Sequence, residues 1–177
     1  MSLSLHDASV PVFLRYLAQL RDLVSKAERF ATERGVRPSD LLAAKLAPDM
    51  LSFERQVAIA ANFTLRAAFP LAGEAVPTEG TFPETFEGLH ARIDRAALLL
   101  GALEPSQFVT AGTRVTESRA GEALVRLSAP EFLFQYALPN FFFHFTAAYA
   151  VLRHQGVPLG KQDFDGFHRY TVQPSPR

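Results

Sequence analysis

The sequence predicts a mainly α-helical protein, an up-down four-helix bundle with a small β-hairpin between its third and fourth helices. Apolar residues recur at steps of three and four along four long stretches, which is the period of a helix with one buried face. The stretches have matching lengths of about 20–28 residues, or roughly 30–42 Å, which suits parallel alignment in a bundle better than crossed packing. One interval, 104–129, loses the helical period and reads as a hairpin insertion.

The first helix is expected from about His6 to Glu33, with Val10, Phe13, Leu17, Leu20, Val24, Ala27 and Ala31 on one stripe and Gly35 ending it. Residues 36–47 read as a loop with a short turn, because Pro38-Ser39-Asp40 starts a helix that Pro48 soon interrupts. The second helix is expected from Pro48 to Phe69, stopped by Pro70 and Gly73. Its stripe carries Phe53, Ala60, Phe63 and Ala67 together with two polar residues, Asp49 and Gln56, seven apart. After a Gly-, Pro- and Glu-rich loop, Thr81 and Glu84 form a candidate capping box for the third helix. Phe82, Phe86, Leu89, Ile93, Ala96, Leu100 and Leu103 then repeat at steps of four and three. In the hairpin, Phe108–Val115 and Ala123–Leu127 read as strands around a turn at 117–121. The fourth helix is expected from Pro130 to Gln155, kinked at Pro139, with an irregular tail over 157–177.

A chain of 177 residues with 48% hydrophobic and 20% charged residues suits one globular domain, 1–177. Lys plus Arg and Asp plus Glu each number 18, so charge gives no reason to expect nucleic acid or an anionic membrane as partner. The chain has no cysteine. Disulfides, thiolate metal sites and cysteine nucleophiles are thereby excluded, and a reducing cytoplasm fits. Residues 1–7 lack the basic and apolar regions of a secretory signal. From Phe132 to Leu152 no side chain is acidic or basic, His144 aside, which is long enough to span a bilayer. Gln135, Pro139, Asn140 and His144 within it, and amphipathic partner helices, favour a helix buried in a soluble bundle.

The candidate chemistry lies in Pro139-Asn140-Phe141-Phe142-Phe143-His144. Asn140 and His144 are four apart and share a helix face with Ala137, Phe141, Ala148 and Val151. A buried polar group left without a partner costs about 1–3 kcal/mol, so the pair requires hydrogen bonds, a metal or a ligand. Asp49 and Gln56 are the expected counterparts across an antiparallel packing of the second helix on the fourth. Asp49 is expected to orient His144 and raise its pKa. Two readings stay open, a hydrogen-bond network fixing helix register and a Phe-lined ligand or metal pocket in the bundle core. His154 suits the last turn of the fourth helix, His90 reads as solvated, and Lys161 and Asp163 are candidates to pin the tail. No phosphate loop, nucleophile elbow or zinc-protease motif occurs.

Leu46-Ala47-Pro48-Asp49-Met50, Gln56, the run Leu138–His144, the run Ala148–Val157 and Gly160-Lys161-Gln162-Asp163 together resemble one bacterial family. That family is a domain of unknown function grouped with the DinB-like metalloenzyme superfamily, and the resemblance implies its four-helix bundle. It also implies a divalent metal such as Zn or Ni held by three histidines, one from the second helix and two spaced four apart on the fourth. His144 falls where the last of these stands, but Asn140 occupies the other position on the fourth helix and the second helix has no histidine. The residues themselves call for no cofactor. Three functions follow: a small-molecule binder around Asn140 and His144, a metal-dependent transferase- or hydrolase-like enzyme using His144, and a homodimer without a ligand. The homodimer rests on the resemblance and on Leu14, Leu23 and Phe30 beside the first stripe.

Overall fold

The computed structural model describes residues 4–168. Its first long helix, α1 (Val10–Arg34), starts later than expected because Ser9 turns back, its hydroxyl donating to the Leu5 carbonyl at 2.5 Å. Pro11 occupies the first turn, where a missing N–H costs nothing. The helix closes at Gly35, whose φ of 65° lets Val36 donate back to the Ala31 carbonyl at 2.9 Å. A short helix, α2 (Pro38–Ala43), follows. Helix α3 (Phe53–Ala72) begins five residues after the expected start, because Ser52 caps it and residues 47–50 form a separate turn. It also runs past Pro70, which lies in the last turn where only one helical bond is lost. Arg114 Nη1 satisfies the Leu71 carbonyl, one of the acceptors left over at the helix end, at 3.0 Å.

Helix α4 (Phe86–Gly101) is capped by Thr85, whose Oγ1 accepts from the Gly88 N–H at 3.1 Å, and not by the Thr81–Glu84 box. Gly88 is required by packing: a Cβ there would lie 1.9 Å from the Pro83 carbonyl oxygen. Gly88→Ala is expected to lower stability by a net of about 1–2 kcal/mol, since overpacking costs about 1–3 kcal/mol and the gain in helix propensity returns at most about 1. An unchanged or raised thermal midpoint would contradict this.

Residues 104–114 are not a strand. Pro105 and Gly112 break a ladder, and two 3-10 turns, Pro105–Phe108 and Ala111–Thr113, bury Phe108 and Ala111. The hairpin is shifted along the chain: β1 (Val115–Ala120) pairs antiparallel with β2 (Ala123–Ser128), Ala120 opposite Ala123, around Gly121-Glu122.

The fourth helical stretch is continuous but not uniform. It comprises α5 (Ala129–Glu131), a π-helical segment (Phe132–Ala137) and α6 (Leu138–His154). The expected disturbance at Pro139 takes the form of this π segment, in which the Leu138 N–H reaches back five residues to Leu133. Asn140 Nδ2 meets the Tyr136 carbonyl at 2.7 Å, satisfying an acceptor beside the irregular turn. Beyond α6, Val157 and Leu159 are buried and Lys26 Nζ holds Asp163 at 2.5 Å beside a last helical turn, α7 (Gln162–Asp165). The expected tail is therefore anchored as far as residue 168, and its remainder, 169–177, lies outside the described residues.

One apolar core joins the helices, with Phe13, Phe53, Phe132, Phe141 and Phe145 fully enclosed. Arg21–Asp94 and Glu28–His90 contacts show α1 and α4 to be antiparallel. Gln56–His144 and Phe63–Tyr136 do the same for α3 and α6. Asn62–Arg92 and, past the helix ends, Glu74–Gln107 show that α3 and α4 point the same way. The directions thus run up, down, down, up, so the helical bundle holds but the expected alternation does not, α3 and α4 being parallel. Residues 73–85, reaching up to roughly 40 Å when extended, return along a helix of about 30 Å before α4 begins. Leu23 is fully buried, and Leu14 and Phe30 are half-buried and pack on the core. No helix among the described residues is long and apolar enough to cross a membrane.

Candidate functional site

The antiparallel packing of α3 on α6 brings Gln56 to His144. Gln56 is 1% exposed, and its Oε1 lies 2.7 Å from His144 Nδ1. Its Nε2 faces the Leu51 carbonyl at 3.5 Å, which sets the amide orientation. A carbonyl oxygen only accepts, so His144 Nδ1 carries the hydrogen. Nε2 then bears the lone pair, and among the described residues no donor meets it. Burial lowers the His144 pKa from its ordinary value, and the Arg66 guanidinium adds a smaller push in the same direction. The ring is therefore neutral at pH 7, held in one tautomer, with a free basic nitrogen.

The other two candidates do not join this pair. Asn140 sits one turn earlier on α6, half-buried, with its amide committed to Tyr136 on its own helix. Asp49 is exposed in the turn before α3. Its expected place on the second helix fails because Ser52 starts that helix beyond it. Asp49 consequently has no bond to His144, and the shift of His144 is downward, opposite to the expected one. His90 is not solvated either: its side chain is half-buried, with Nε2 3.5 Å from Glu28 and Nδ1 enclosed without a hydrogen-bond partner.

Beside the pair, the Phe143 ring meets the imidazole edge-on at 5.2 Å between centroids. Phe143 also lines a shallow apolar groove of about 430 Å³ with Leu46, Met50 and Ala147. Phe143 is 59% exposed and Leu46 43%, and Phe143 is the side chain that links the groove to the imidazole, His144 itself lying outside the groove's lining.

The three-histidine metal set implied by the DinB-like resemblance does not fit these residues. His144 is the single imidazole of the pair, Gln56 Oε1 is spent on its Nδ1, and the Asn140 amide is turned to backbone. Among the described residues no three His, Cys, Asp or Glu side chains converge as ligands. One imidazole and two amides make a weak site for zinc or nickel.

Residues 5–165 match the family model described as a domain of unknown function, DUF1993. The chain belongs to this family. A solved relative, the crystal structure of a DinB family member protein from Shewanella denitrificans, is 32% identical and superposes with a TM-score of 0.85 over 96% of each chain. No curated protein matches the sequence. The DUF1993 chain is thus a DinB-like helical bundle along its length, in which Gln56 and His144 face each other between α3 and α6. Two polar residues with no mark in the helical pattern also prove notable. Asn62 is 8% exposed and Arg66 half-buried, one turn apart on α3, and both face a second cleft beneath the hairpin.

Proposed function

We propose that this DUF1993 protein binds a small ligand carrying a hydrogen-bond donor on an apolar body, with His144 Nε2 as acceptor and the Phe143 groove as apolar wall. The observation that carries the reading is the Gln56–His144 contact at 2.7 Å. A buried amide that fixes one imidazole tautomer leaves the other nitrogen oriented for a partner, as second-layer groups do around functional histidines. A neutral ring accepts a hydrogen bond or a proton, so the same nitrogen also suits acid–base work. The setting we infer is the cytoplasm.

Titration with phenol, which has a donor, and anisole, which has none, tests this by NMR of the His144 ring. Phenol is expected to shift the ring signals and those of the neighbouring Phe143, anisole to leave them, and His144→Phe to abolish the phenol response at Phe143 with the fold retained. Equal responses to the two probes, or none at His144, would sink the proposal. A second reading, a homodimer closed over the α6 groove, is favoured by the exposure of Leu46, Leu51 and Phe143. Light scattering decides it, a monomer at micromolar concentration excluding the dimer.

A further inference from the structure

A second cleft, of about 510 Å³, lies between α3, the returning segment 73–85 and the hairpin. Leu65, Pro70, Val76 and Pro77 supply apolar surface to its lining. Asn62, Arg66 and Ser118 supply polar groups to the same lining. Asn62 is 8% exposed, and its Oδ1 accepts from Arg92 Nη1 at 3.1 Å. Its Nδ2 has no acceptor among the described residues, and it is the group left to face the cleft. This donor is reached by solvent in the cleft and is free to donate to water or to a ligand that replaces it.

Arg66 adds further donors. Its Nη2 donates to the Arg119 carbonyl at 2.6 Å and the Ser118 hydroxyl at 3.3 Å, both uncharged acceptors. The guanidinium is stacked 4.7 Å over the Phe63 ring, which fixes its plane, and its Nη1 and Nε make no hydrogen bond among the described residues. No carboxylate among those residues pairs with it, nor with Arg92, which lies 4.7 Å over Phe82. Two acids, Glu79 and Glu117, stand at the cleft, but Glu117 is engaged by Arg126 at 3.3 Å and Arg119 adds a further positive charge at the rim. The field at Asn62 therefore favours an anion. A planar guanidinium fork with an amide donor one helical turn away suits the two oxygens of a carboxylate, and a guanidinium holds such a group better than a point charge does.

We propose that this cleft binds a small organic carboxylate, its oxygens on Arg66 and Asn62 and its apolar body against Leu65, Pro70, Val76 and Pro77. The site is distinct from the Gln56–His144 pair, to which only the charge of Arg66 couples it, and it does not rest on the ligand proposed there. Benzoate, benzamide and inorganic phosphate are titrated separately into the full chain, reading the Asn62 side-chain amide and the Arg66 Nε–H by NMR. Benzoate is expected to shift both signals at millimolar concentration, while benzamide, which lacks the charge, leaves them. Asn62→Asp keeps the acceptor for Arg92 while turning the aimed donor into a negative oxygen, and it should weaken benzoate at least about tenfold. Arg66→Lys retains the charge and loses the fork, so it should weaken benzoate while the hairpin signals stay native. Shifts confined to residues outside this cleft, an equal response to benzamide, unchanged binding in Asn62→Asp, or phosphate binding as tightly as benzoate would each overturn the proposal.

Discussion

Phe141→Ala is expected to cost about 3–5 kcal/mol of folding stability, the range for removing an enclosed phenylalanine. Phe141 is 0% exposed and is the hub of an aromatic group. Its ring meets Phe13 of α1 at 5.3 Å, Phe142 at 5.2 Å and Phe145 at 6.1 Å, edge-on or tilted. Tyr16 of α1 approaches it at 6.4 Å and Phe142 at 4.8 Å. Truncation removes the transfer energy of the ring and opens a void that rigid aromatic neighbours on two helices fill poorly, which places the cost toward the top of that range. It also removes several edge-to-face contacts worth about 0.5–1.5 kcal/mol each. Since whole domains are stable by only about 5–15 kcal/mol, the variant should lose much of its margin in urea unfolding. Phe143→Ala, two residues on and on the other side of the helix, is the control: that ring is largely exposed, and its loss should cost well under 1 kcal/mol. Equal destabilisation by the two variants would show that the aromatic hub is misplaced.

The run Phe141-Phe142-Phe143 also shows what was legible in the sequence and what was not. Helical spacing alone assigns Phe141 to the core, and the same spacing pairs Gln56 on α3 with His144 on α6, because antiparallel neighbours place equivalent stripes face to face. The four long helices are legible for the same reason. Their ends are less so. Thr81–Glu84 and Thr85–Gly88 are both acceptable caps locally, and the choice between them is made by Pro83, whose carbonyl packs against the bare Cα of Gly88. The start of α3 at Ser52 rather than Pro48 decides the fate of Asp49. A shift of a few residues in a cap thus removes a predicted site residue without altering the fold. Nor does the pattern reveal the cleft at Asn62. Its formation depends on a hairpin laid over α3 and on residues 73–85 returning along the bundle, contacts distant in sequence that carry no periodicity. Pro139 signals an irregular helix correctly, yet whether a proline yields a sharp kink or a π turn depends on which carbonyls the surrounding donors, here Asn140 Nδ2, can satisfy.

Gln56→Ala is expected to destabilise the protein by about 2–4 kcal/mol, combining an unpaired imidazole N–H with a small void. Gln56 is 1% exposed and accepts from His144 at 2.7 Å, so neither loss is readily made good by water at that position. The pH dependence separates this role from simple packing. Gln56 Oε1 accepts the Nδ1 hydrogen whether His144 is neutral or protonated, so the bond does not resist protonation; burial does, assisted by Arg66. The folded-state pKa is thus below the unfolded value of about 6.5, and the unfolded chain binds more protons in the interval between them. Stability from this group is fully present above pH about 6.5 and declines as the pH falls through the lowered folded pKa, by at most about 1.4 kcal/mol per unit. Gln56→Glu keeps an acceptor at the same atom but adds a negative charge against the ring, which favours the imidazolium. Its His144 should titrate higher than in the wild type, and the acid-side loss of stability due to His144 should shrink or reverse. Chemical-shift titration of the His144 ring, alongside urea unfolding between pH 5 and 8, reads both effects. A wild-type His144 titrating at or above the ordinary value, or an unmoved titration in Gln56→Glu, would show that the two side chains do not meet as described.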